Sequence, residues 1–235
     1  GFGKDAVSLE SPVHKVGSSA FDIARYPVTV GSYEEFVASG GYGERAYWDT
    51  EGWRVREQNG WEAAEDFDAQ LPYPDRPVVG VSWFEAMAYA RFRQAKLPTE
   101  AQWERAASYP DGRRYPWGDD FETDRCNSTE CGVRHVTTVG LFPRGNSALG
   151  IADVSGNMWE WCSDWYGEYP ATPVVDPSGP AVGSKRTIRG GSHSNTGRLV
   201  RVTIRCGYEP ALRHSELGFR LARDPSLTLT PVCHL

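Results

Sequence analysis

Apolar positions recur at helical spacing in three stretches of this chain, all before residue 109. The later half carries short apolar runs cut by glycine and proline. Residues 7–23 alternate loosely and predict strands. Thr29 or Ser32 can cap a first helix through Tyr33, Phe36 and Val37, which Gly40-Gly41 ends. Residues 42–76 show no period. They predict an ordered loop packed by its own Trp48, Trp53 and Trp61. Ser82-Trp83-Phe84-Glu85 forms a capping box, after which Phe84, Met87, Ala88 and Phe92 share one helical face. Leu97-Pro98 breaks that helix. Thr99-Glu100-Ala101-Gln102 caps a third one, through Trp103 and Ala106. Strands are expected at 187–189, around 200–205, and at 218–222. Helices early and irregular strands late predict an α+β domain with long loops.

Composition narrows the class. The chain has 235 residues, 40% of them hydrophobic, with nine tryptophans. That suffices for one sizeable core, and no linker-like tract divides it, so a single domain over 1–235 is expected. It can be the C-terminal part of a longer protein. The net charge of −6, with lysine and arginine scattered, argues against a nucleic-acid backbone binder. No apolar run approaches the roughly 20 residues of a membrane span. No signal-peptide pattern is visible at Gly1-Phe2-Gly3-Lys4, and the compartment is not read from it. Of five cysteines, Cys126 and Cys131 are near enough in sequence to pair or to stay free. Cys162, Cys206 and Cys233 have no motif spacing. His14, His135, His193, His214 and His234 show no ligand spacing, and nucleophile-elbow and P-loop signatures are absent.

Six motifs in order carry a resemblance: Tyr26-Pro27-Val28-Thr29; Pro77-Val78-Val79-Gly80-Val81-Ser82-Trp83; Leu97-Pro98-Thr99-Glu100-Ala101-Gln102-Trp103-Glu104; Tyr115-Pro116-Trp117-Gly118; Gly156-Asn157-Met158-Trp159-Glu160-Trp161; and Arg189-Gly190-Gly191-Ser192 closed by Gly218-Phe219-Arg220. The chain resembles the formylglycine-generating-enzyme (sulfatase-modifying factor) family over about residues 8–223. The resemblance implies a C-type-lectin-like fold. It also implies a structural calcium at Asp153, Gly156, Met158 and Glu160, whose oxygens suit a hard cation. The family's enzymes place two copper-binding cysteines after the Gly-Gly-Ser. Here the first position is Asn195 and the second Val200 or Arg201. Neither supplies the thiolate that Cu(I) needs, so no copper is expected.

The aperiodic segment 193–217 also resembles the variable proteins of diversity-generating retroelements. In that likeness Arg201, Arg205, Pro210 and Arg213 are frame. Ser194, Asn195, Thr196, Arg198, Leu199, Ile204, Cys206, Tyr208, Leu212, His214 and Ser215 are display positions, flanked by His193. Their residue types are reachable from an Asn codon by changing adenines alone, whereas Glu209 and Glu216 are not. The segment's mixture of Tyr, His, Arg and small polar residues is that of an adaptable binding surface. The leading expectation is therefore a non-enzymatic domain that binds a protein or other macromolecule through 193–217. The alternatives are a divergent oxidase of the family or a metal-dependent oxygenase lacking its helical, histidine-bearing partner domain. A third is a docking domain of a sensor or kinase.

Overall fold

The computed structural model describes residues 10–225. Each predicted helix forms, and its cap explains where it starts. Helix α1 (Val30–Ala38) is capped by Thr29, whose side chain accepts from Ser32 N. Helices α4 (Trp83–Phe92) and α5 (Glu100–Ser108) both carry complete capping boxes, Ser82 with Glu85 and Thr99 with Gln102.

The stretch 42–76 departs from the expected loop. It holds α2 (Thr50–Asn59) and the single turn α3 (Phe67–Gln70). Asp49 caps α2 by accepting from Gly52 N at 2.6 Å, and Gly60 closes it in a left-handed conformation. Only Gly52 and Val55 of α2 are buried, so the helix has almost no apolar stripe to betray its period.

Strands come late and are short. The main sheet comprises β3 (Trp159–Trp165), β5 (Arg186–Arg189), β6 (Arg205–Tyr208) and β7 (Leu217–Gly218), in the order β6-β5-β3-β7. Neighbours are antiparallel except β3 and β7, which run parallel. The strand expected at 200–205 begins only at Arg205, because residues 197–199 form a 3₁₀ turn. Two further pairs lie apart from this sheet. Strand β1 (Val16–Gly17) pairs with β4 (Val174–Val175), and β2 (Asp22–Ile23) with β8 (Ala222–Arg223). The segment expected to be strand from residue 7 is reduced to these two-residue pieces; residues 7–9 lie outside the described residues.

The largest core cluster joins α1, α4 and the sheet through Tyr33, Phe36, Tyr89, Trp159, Trp161 and Phe219. A second packs Trp103 of α5 on Val154, Cys162 and Val202. A third gathers Tyr115, Cys126 and Val200.

Buried arginine–carboxylate clamps fasten the sheet to the helices. Arg189 and Arg205 are direct cross-strand partners in β5 and β6. Two like charges opposite one another repel, and Glu100 in the first turn of α5 answers both. It accepts from Arg189 at 2.9 Å and from Arg205 through both oxygens at 2.7 Å. Arg220 forks onto Glu160 at 2.6 Å through two nitrogens. Arg213 forks onto Glu85 of α4. Arg201, the remaining arginine of the expected frame, bonds Glu10 at 2.7 Å.

Burial alone would raise the Glu100 carboxyl, but Arg189 and Arg205 outweigh it and hold the group below its ordinary value. Its stabilising contribution is therefore present above the unfolded carboxylate pKa and is lost as pH falls through the lowered folded value. Glu100→Gln takes the carboxylate from buried Arg205 and leaves Arg189 only its second partner, Glu104. It should cost about 3–5 kcal/mol, read as a lower urea midpoint at pH 7, and it should flatten the acid limb of the stability profile. An unchanged midpoint would show the clamp to be energetically neutral.

Candidate functional site

The site is built where three segments meet beneath the Gly190-Gly191-Ser192 turn. The first begins at Gly191, which has φ +75°. A Cβ there would stand 2.5 Å from Leu199 O, so the turn requires glycine. Ser192 follows, fully buried. Asn195 Oδ1 accepts from Ser192 N at 2.9 Å and from Ser192 Oγ at 3.1 Å, closing a tight side-chain turn. Glu216, at the start of the final strands, accepts from Ser192 Oγ at 2.6 Å and from Ser194 Oγ at 2.7 Å.

The second segment is residues 134–137. It is held by Asn157, a left-handed residue at φ 66° in the Gly-Asn-Met-Trp motif. Asn157 Oδ1 accepts from Thr137 N at 2.9 Å and from Asn127 Nδ2 at 3.0 Å, and its backbone carbonyl accepts from His193 N. Asn127 Nδ2 also bonds His135 O at 2.8 Å. One asparagine thus fixes His135 and His193 relative to each other. The preceding Gly156 (φ +77°) lets this happen, since a Cβ would meet Asn127 O at 2.3 Å.

The third segment, residues 69–79, is fastened by Gln70. Its amide bonds Glu65 O and Val79 O and accepts from Val79 N. Gly80 N donates to His214 O and Leu217 O, which sets this segment beside Ser215.

The three enclose an open pocket of about 340 Å³. Val30, Pro77, Val79 and Val136 make its apolar wall, and Tyr73, Arg76, Arg134, His135 and His193 supply its polar groups. His135 Nδ1 lies 3.0 Å from Val136 O. His193 Nδ1 is buried without a hydrogen-bond partner. Burial lowers the His193 pKa, Glu216 counteracts by raising it, and His135 lowers it further. The imidazole is therefore neutral at pH 7 and able to accept a proton.

The sequence-predicted residues divide sharply. Ser194, Thr196, Arg198 and Ser215 are exposed. His193, Leu199, Cys206, Tyr208, Leu212 and His214 are half-buried, and Leu199, Cys206, Tyr208 and Leu212 pack on the main core. Asn195 and Ile204 are not surface residues at all, at 4% and 0% exposure. Asn195 is turned inward by its bonds to Ser192, and Ile204 is a core side chain. His193 and Ser215 are the expected residues that line the pocket. Tyr73, Arg76, Arg134 and His135 join them from segments that share no motif or spacing.

The candidate metal loop is closed by protein groups. Both Glu160 oxygens are held by Arg220, and one also accepts from Trp103 Nε1 at 2.8 Å. Met158 is buried, and its N donates to Gly156 O. Asp153 accepts from Gly140 N at 2.7 Å, and burial pushes its carboxyl up to about 6. Glu160 is thus unavailable as a second carboxylate, and these four positions do not fit a calcium set. At the positions of the family's copper thiols stand inward-turned Asn195, buried Val200 and ion-paired Arg201, which do not fit copper. Among the described residues, no three His, Cys, Asp or Glu side chains gather closely enough to hold a metal ion. Cys126, Cys131, Cys162 and Cys206 are free thiols, so Cys126 and Cys131 are not bridged. Cys233 and His234 lie outside the described residues.

Residues 2–225 match the family described as "Sulfatase-modifying factor enzyme 1-like domain". The chain belongs to that family. It is 34% identical over 242 residues to a hercynine oxygenase of Mycolicibacterium thermoresistibile, covering 93% of this chain and 54% of that protein. It is 41% identical over 175 residues to a formylglycine-generating enzyme of Streptomyces coelicolor, covering 66% of this chain and 55% of that one. The chain thus spans about half the length of these relatives. Among solved structures, Treponema denticola variable protein 1 superposes with a TM-score of 0.70 at 22% identity, over 95% of this chain and 91% of that chain. That likeness establishes the C-type-lectin-like fold. The expectation of a non-enzymatic domain is overturned, because the relatives at this identity are named enzymes. Absence of two thiols removes one chemistry from the site without removing the pocket. No helix among the described residues is long and apolar enough to cross a membrane.

The His193 ring offers a direct check. Its Cε1–H resonance should titrate below the ordinary histidine value. His135→Ala should raise that midpoint by removing the neighbouring imidazole that lowers it, and Glu216→Gln should lower it further. A ring that titrates normally in all three proteins would disprove the electrostatic picture. A second check is chemical. Burial pushes Cys126 up to about 12 and Cys162 well above the usual thiol range, and it also raises Cys206, so iodoacetamide at pH 8 should modify half-buried Cys131 well before Cys126 or Cys162.

Proposed function

We propose that this chain is the formylglycine-generating-type domain of an oxidoreductase of the hercynine-oxygenase kind, and that it binds the organic substrate in the pocket between His135 and His193. The observation that carries this reading is the pocket itself. It is a cavity of about 340 Å³ at the Gly-Gly-Ser turn, with an apolar wall and a neutral imidazole whose buried Nδ1 has no partner. Such a combination of apolar wall and few converging polar groups is the usual form of a small-molecule site. The identity of 34% to a hercynine oxygenase across 93% of the chain supports the reaction class.

In this reading His193 accepts a proton from bound substrate, and Glu216, held by two serine hydroxyls, steadies the positive ring that results.

The test has two arms. Hercynine titrated into this domain should shift the ring resonances of His135 and His193, and His193→Ala should weaken binding at least tenfold. The full-length protein, supplied with hercynine, a thiol and iron(II), should consume oxygen. Hercynine that leaves both rings unmoved would remove the pocket from the proposal; oxygen uptake without hercynine dependence would remove the substrate.

A further inference from the structure

The charge around this pocket is opposite to that of the protein. The chain carries 31 acidic against 25 basic side chains. Yet the residues lining the pocket include Arg76, Arg134, His135 and His193 and no aspartate or glutamate. Every buried arginine clamp elsewhere ends on a carboxylate: Arg189 and Arg205 on Glu100, Arg213 on Glu85, Arg220 on Glu160. Arg76 and Arg134 have no ion pair among the described residues.

The Arg76 guanidinium is placed by a ring contact, whereas Arg134 is set by its backbone. Arg76 is half-buried and lies over the Tyr73 ring at 3.9 Å from its centroid. That stacking fixes its plane while leaving the N–H edge open. Arg134 sits in the left-handed region at φ 63°, a conformation that non-glycine residues seldom adopt. It is adjacent to His135, which Asn127 anchors through its carbonyl. The titratable groups acting on His193 are Glu216, already accepting from Ser192 and Ser194, and His135. Two unpaired guanidinium groups and two imidazoles around an apolar floor are a set of donors awaiting an acceptor.

We propose that the pocket selects ligands bearing an oxyanion, carboxylate or phosphate, with Arg76 and Arg134 as its specificity-determining residues and the apolar wall of Val30, Val79 and Val136 taking the ligand's carbon body. This rests on the pocket being the substrate site and names the class of molecule it accepts. Arg76 is the primary anchor because stacking on Tyr73 removes much of the side-chain entropy that binding would otherwise cost. Arg134, which is exposed, adds attraction that salt weakens.

The experiment titrates succinate, inorganic phosphate and uncharged succinamide into this domain, following the His135 and His193 rings by NMR at two ionic strengths. Succinate or phosphate should bind at least tenfold more tightly than succinamide, and the tighter of the two identifies the source of the oxyanion. Arg76→Gln should weaken binding about tenfold and Arg134→Gln about threefold, with melting temperatures unchanged, since neither residue is in an ion pair. Arg76→Lys should recover little, because a point charge does not replace the stacked fork. Equal binding of succinate and succinamide, or full affinity in both glutamine variants, overturns the proposal. Hercynine displaced from the parent domain, yet bound undiminished by both variants, sinks the oxyanion inference alone. If neither the anions nor hercynine move either ring, the pocket reading falls with it.

Discussion

The structure depends on guanidinium groups buried against carboxylates. The sheet has only four short strands, and much of the remaining chain has no regular ladder to satisfy its backbone. A fold of this kind needs side chains to do what backbone hydrogen bonds do elsewhere. Arg189, Arg205 and Arg220 are nearly sealed from solvent, and each reaches a carboxylate while also donating to backbone carbonyls. Removing one partner strands the other charge, so such pairs fix geometry more than they add stability.

That rigidity explains how a site can be assembled from distant loops. Asn157 follows a left-handed glycine and spends its side chain on Asn127 and Thr137, and its carbonyl on His193. Arg213 locks the turn before Glu216 to α4 through Glu85, and lies over the Trp61 ring at 3.9 Å. The pocket's walls are thus tied together by hydrogen bonds of the frame and not by the few side chains that line it. This is consistent with a family in which named oxygenases and formylglycine-generating enzymes share one domain.

The segment 193–217 combines two jobs that its sequence does not separate. Asn195, Ile204 and Arg205 face inward and hold the frame, while Ser194, Thr196, Arg198 and Ser215 face water. Cys206 and Tyr208 occupy one face of the edge strand β6, with Arg205 and Gly207 on the other. Composition alone makes all of them resemble a binding surface. Which are available to a ligand follows from strand alternation and from the turn that Asn195 closes.

The sequence by itself determined the helix starts, since capping is local: Thr29, Ser82 and Thr99 each bond a backbone amide three residues on. It also determined the family, because the six motifs include clamp residues Glu100, Glu160, Arg189 and Arg220 and the turn glycines Gly156 and Gly191. Helix α2 escaped because only Gly52 and Val55 turn inward, and its Asp49 cap lies among aromatic residues without a period. The pocket escaped for a deeper reason. Arg76, Arg134, His135 and His193 come from three segments that carry no shared spacing, and the long-range bonds of Asn157 and Gly80 bring them to one cavity. Ligand capacity at Glu160 was likewise decided in three dimensions, where Arg220 claims both of its oxygens before any cation can.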